Sequence, residues 1–77
     1  MNSREKANEA KAILNNEVFK EVMENIQNSL ISQWSIAETT DEREICWMKL
    51  NALRSIQEDL KAVIHNDKIV NNYKRGN

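Results

Sequence analysis

The chain has 77 residues, no proline, one glycine at Gly76, and a formal net charge of −1 from 11 basic and 12 acidic side chains. Phosphate loops, nucleophile elbows and tight hairpin turns need glycine or proline at defined positions, so none of them can be assembled here. The even charge balance excludes the strongly basic kind of polyanion binder.

Domain size is bounded in the same way. A single domain this small buries only about 60% of the surface its unfolded chain exposes, so a monomeric core is marginal. Small folds compensate with disulfides, metals or self-association. Cys46 is the sole cysteine, so an internal disulfide is impossible and self-association is the route left. A lone thiol fits a reducing, cytoplasmic setting. Apolar runs such as Ala12-Ile13-Leu14 fall far short of the roughly 20 residues of a membrane span, so no membrane partner is expected. The polar stretch from Met1 to Lys11 has no apolar core of the kind a secretory signal carries.

The first element predicted is a long helix over residues 3–37. Ala10, Leu14, Phe19, Met23, Ile26, Leu30 and Trp34 recur at steps of three, four or five, which lines one side of a helix. The segment 38–41 is the predicted turn. Thr39 with Glu42, or Asp41 with Glu44, matches a capping box, in which a side-chain oxygen takes an amide three residues on and the carboxylate reaches back. A second helix follows over 42–66 with Cys46, Leu50, Leu53, Ile56, Leu60 and Ile64 at helical spacing. It should weaken at His65-Asn66-Asp67, since asparagine and aspartate favour local side-chain bonding. Residues 67–77 are read as a C-terminal segment or tail. Ile69, Val70 and Tyr73 leave open whether 67–73 continue the helix or dock back.

The predicted fold is therefore all-α, an antiparallel two-helix hairpin that assembles into an oligomeric helical bundle. Two helices have one mutual face to cover, yet Ile13, Val18, Val22 and Ile36 lie off the first seam and Ile45, Trp47, Met48 and Ala52 off the second. That surplus is best covered by further copies or a partner protein.

Trp34 and Trp47 flank the turn. They either anchor a partner or, as is commoner, close the core near the loop. Arg54, Lys61 and Lys68 follow Trp47 at heptad intervals. This stripe could touch phosphates or stacked bases, but Glu58 lies one turn from Arg54 and Lys61, and helix edges of this kind are usually solvated ion-pair ladders. Nucleic acid is not the expected partner. Cys46 and His65 lie more than about 25 Å apart on one helix by its ~1.5 Å rise per residue, too far to share a metal or form a catalytic pair. No Glu-x-x-His pair of a di-iron bundle is present, as no glutamate stands three residues before His65. The chain reads as a non-enzyme without cofactor or metal. Its expected working residues are Phe19, Trp34, Arg43, Trp47, Arg54 and Lys61.

The order Ala12-Ile13-Leu14 to Phe19, Leu30-Ile31 to Trp34, Thr40-Asp41-Glu42-Arg43-Glu44, and Trp47 to Leu50 resembles small uncharacterised helical-hairpin proteins of tailed bacteriophages encoded near portal and capsid genes. The resemblance covers about Ala12 to Ile69. Where those proteins tend to carry glycine after the second helix, this chain has Asn66-Asp67-Lys68. It implies an accessory phage protein acting by contact with itself and with a phage structural or host protein, in virion head assembly or DNA packaging. The implied location is the host bacterial cytoplasm or the virion. The alternative role is an inhibitor or nucleotide-signal sponge directed at host defence.

Overall fold

The computed structural model describes the backbone of residues 1–75 and side chains as far as Val70. It is all-helical: α1 (Ser3–Asn15), α2 (Glu17–Ile36) and α3 (Thr40–Arg75). The single helix expected over 3–37 is two helices, so the predicted two-rod hairpin is corrected to three elements.

The break sits at Asn16, and its cause is local. Asn16 takes an extended conformation (φ −68°, ψ 125°), ends α1 through its N–H to the Ile13 carbonyl, and starts α2. Its side-chain oxygen accepts from the Phe19 amide at 2.8 Å, an asparagine N-cap. The apolar stripe needs this break. Leu14 to Phe19 is a step of five, which in an unbroken helix at 3.6 residues per turn would swing Phe19 about 140° away from the face of Leu14. Ending one helix and starting another re-phases the stripe.

The second correction concerns the end of the last helix. α3 passes through His65-Asn66-Asp67 without a break and continues to Arg75. Asp67 is buried, with 8% of its surface exposed, and accepts a hydrogen bond from the Ser3 hydroxyl at 3.0 Å. Its carboxylate is thus engaged with the start of α1. The proposed docking of Tyr73 lies outside the described side chains, and Gly76 and Asn77 outside the described residues.

α1 and α2 both pack on α3 and touch each other much less. Ser3 meets Asp67 at one end, and Trp34 shares a groove with Trp47 at the other. The path from Ser3 to Trp34 is about 46 Å of helix, whereas that from Asp67 back to Trp47 is about 30 Å, at ~1.5 Å per residue. α1 and α2 therefore cannot form one straight rod beside α3, and the bend at Asn16 takes up the difference. The molecule measures 58 × 25 × 17 Å, and its length is close to that of α3 alone.

Along α3 an inward seam is formed by Cys46, Leu50, Leu53, Gln57, Leu60, Ile64 and Asp67, each buried or half-buried, with Val63 half-buried beside it. The spacing of the seam alternates four and three, the heptad pattern of helix-on-helix packing. Ala7 and Ala10 are the most buried residues of α1, at 1% and 4% exposed; their small side chains let α1 lie close to α3. The core is thin: among the described residues, none with a large side chain is fully enclosed.

Candidate interaction surface

The connection between α2 and α3 is held by four polar contacts. Thr39 Oγ1 accepts from the Glu42 amide at 3.1 Å, so of the two capping boxes in the sequence the Thr39–Glu42 pair is used. The returning carboxylate lands one residue earlier than the usual motif, accepting from the Glu38 amide at 3.0 Å. The Thr39 carbonyl accepts from the Arg43 amide. Arg43 also reaches back, its guanidinium donating to the Ala37 carbonyl at 3.3 Å and satisfying an acceptor freed by the end of α2.

This rigid end places two apolar surfaces on opposite flanks. On one, Ile31, Trp34, Trp47 and Leu50 line a groove of about 300 Å³. Leu50 belongs to the core, but Trp34 and Trp47 are 49% and 51% exposed. The indoles are thus neither closed into the core nor isolated: they form the walls of an open, dry-lined slot. Arg54 lies one heptad past Trp47, and its guanidinium carbon stands 5.9 Å from the indole centroid, a cation–π contact. Lys61 and Lys68 are exposed and continue the same edge of α3 at the next two heptads. On α2 the exposed side chains Glu17, Lys20 and Glu24 lie toward the side of that helix that carries Ile31, whereas Glu21 points away from its buried line, by the 3.6-residue period.

The opposite flank is also apolar. Ile36 and Ile45 line a second cleft of about 400 Å³ with Ala37, Cys46 and the stem of Lys49. Ile36 is 77% exposed, the highest value among the described large hydrophobics. Exposed Val18 and Val22 extend that side along α2 and Ile56 along α3. Periodicity places them there, since each lies about a quarter turn from its helix's buried line.

Of the residues singled out from sequence, Trp34, Trp47 and Arg54 come together, and Lys61 shares their edge. Arg43 is engaged with the turn. Phe19 is half-buried at the start of α2, with its amide capped by Asn16, and is part of the packing more than of the surface. Sequence reasoning missed Ile31 and Leu50 in the groove, although each stands three residues from a tryptophan. It also missed the Ser3–Asp67 link, for which a 64-residue separation leaves no local signal.

Cys46 is buried and unpaired. Among the described residues there is no group of three or more His, Cys, Asp or Glu side chains that could hold a metal ion, and no helix is long and apolar enough to cross a membrane. The chain thus belongs to the broad class of small all-helical proteins with open apolar flanks. Comparison with protein-family models, curated proteins and solved structures finds no match.

Proposed function

We propose that this protein works by contact, binding further copies of itself and, through that assembly, a phage structural or host protein. The observation that carries the reading is the pair of apolar flanks: Trp34 and Trp47 half exposed on one, Ile36 and Ile45 on the other. Apolar surface gains about 25 cal/mol per Å² when withdrawn from water, and extended patches of this kind mark interaction sites. The surroundings of the groove, two indoles and two aliphatic side chains edged by a guanidinium, suit tight packing against another protein. Aromatic residues and arginine are the usual anchors of such contacts.

The resemblance to tailed-phage proteins over Ala12–Ile69 supports a non-enzymatic accessory role in head assembly or DNA packaging in the host cytoplasm. Light scattering should find a discrete oligomer; a folded monomer at every concentration would overturn the reading. Affinity capture from infected cells, with mass spectrometry of partners and of purified virions, should recover a head protein.

The nucleotide-sponge reading is favoured by one observation, the Arg54–Trp47 pair at the head of a basic edge. Titration calorimetry with cyclic oligonucleotides separates the two, since saturable heat belongs to the sponge and none to the assembly protein.

A further inference from the structure

We propose that this chain exchanges α1 with a second copy: Asn16 is the hinge, and when it straightens, the α1 of each copy docks on the α3 of the other. The inference rests on the self-association read above and names the segment and the surface through which two copies join.

The hinge is a single residue. Asn16 alone separates α1 from α2, at φ −68° and ψ 125°. Helical values are about −63° and −42°, so its φ is already helical and rotation about one ψ joins the two helices. In the joined helix the amides of residues 16–19 pair with the carbonyls of residues 12–15, replacing the Asn16 contacts to Ile13 and Phe19. No glycine or proline lies between Ser3 and Ile36, so no residue there opposes a continuous helix strongly. α1 and α2 touch each other little, and swinging them apart loses few contacts between them. α1 is also lightly held on α3: its two buried side chains are alanines, so little apolar area is uncovered when it lifts.

The phase of the apolar faces decides where a straightened α1 goes. The buried residues are Ala7 and Ala10 on α1, and Met23 and Leu30 on α2. In an unbroken helix each alanine lies about 140–160° around the axis from Met23 and Leu30, at 3.6 residues per turn. With α2 seated on its own α3, the alanine face is then turned away from that α3 and cannot regain the position it holds in the bent chain. The part of α3 that α1 covers, around Val63 and Asp67, loses its partner. A second straightened copy has the same two unmet surfaces. Exchange satisfies both with contacts the bent chain already makes: Ala7 and Ala10 close against α3, and the Ser3 hydroxyl donating to Asp67, now from one copy to the other. Reuse of one set of contacts makes such an exchange a low-cost route to a dimer, and short hinges favour it. No residue of α1 lines the two apolar flanks beside the α2–α3 turn, so the exchanged dimer keeps both for further copies or another protein.

Two experiments test the exchange. First, isotope-labelled and unlabelled wild-type protein are unfolded and refolded together at high concentration, and isotope-filtered NOE spectra of the dimer are recorded. Cross-peaks between the Ala7 and Ala10 methyl groups of one copy and α3 of the other are expected. A dimer in which those cross-peaks arise only within a copy would overturn the exchange and leave self-association standing. A wild type that stays monomeric at every concentration would overturn the contact-driven reading as well.

Second, Asn16→Ala and Asn16→Gly are compared by sedimentation velocity. Alanine removes the cap and favours the joined helix, whereas glycine is tolerated at a cap and disfavours a helix interior. Asn16→Ala should dimerise at least tenfold more tightly than Asn16→Gly. Equal association of the two would remove the hinge role of Asn16 and overturn the proposal.

Discussion

Asn16 shows how much one side chain can decide. Its carboxamide caps α2 while its own amide closes α1, so a single residue serves two helix ends that would otherwise leave backbone groups unpaired. Replacing it with alanine removes the cap, worth about 1 kcal/mol, and favours a continuous helix whose Leu14 and Phe19 faces diverge. Asn16→Ala should therefore lower the thermal midpoint despite alanine's higher helix propensity, as followed by circular dichroism; an unchanged or higher midpoint would mean that packing alone bends the chain. The Asn15-Asn16 pair followed by Glu17 was a visible cap signal. It is outweighed on reading because the apolar stripe continues on both sides and a step of five is easily absorbed into a helical count. Asn66-Asp67 errs in the opposite direction: the same residue types that end α1 are tolerated inside α3, because Asp67 finds Ser3 across the fold.

At the scale of the elements, α3 organises the molecule. Its inward line alternates by four and three residues, and both α1 and α2 pack against it. α1 achieves close approach through Ala7 and Ala10, so a larger residue there has no space: Ala10→Leu should destabilise by about 1–3 kcal/mol through overpacking, measured by urea unfolding. A neutral result would mean that α1 can lift off α3 without loss. Gln57 is the polar member of the seam that is half-buried, between Leu53 and Leu60. Gln57→Leu should raise stability by about 1 kcal/mol through added apolar burial. A loss in the same urea experiment would assign the amide a pairing role in this seam, as single polar seam residues have in coiled coils. The heptad was readable in advance for Cys46, Leu50, Leu53, Leu60 and Ile64. Gln57 and Asp67 were not legible as seam positions, since their residue types point outward and only the neighbouring helices turn them in.

For the whole molecule, the balance between core and surface is the governing quantity. Among the described residues six hydrophobic ones are buried, of which two are alanines and one is the cysteine, against a long series of exposed valine, isoleucine and tryptophan side chains. A fold with so little enclosed apolar surface gains from association, and its midpoint should rise with concentration, because binding to the folded state stabilises it by mass action. Scanning calorimetry across a hundredfold concentration range checks this; a midpoint independent of concentration would be incompatible with an assembling protein. Trp34→Ala with Trp47→Ala should flatten that dependence while leaving helicity largely intact, since both indoles are half exposed.

The amino-acid sequence alone determined the helical class, the position of the turn near Thr39, the two candidate capping pairs there, and the excess of apolar residues over one seam. All of these follow from local propensity, periodicity and short-range hydrogen bonding, which operate within a few residues. Only the tertiary structure decided that the first rod bends at Asn16, that α3 continues through Asp67, and that Trp34, Trp47 and Arg54 share one edge while Arg43 turns to the loop. Those outcomes depend on which helix lies against which, and a packing partner tens of residues away overrides the preference of any single side chain.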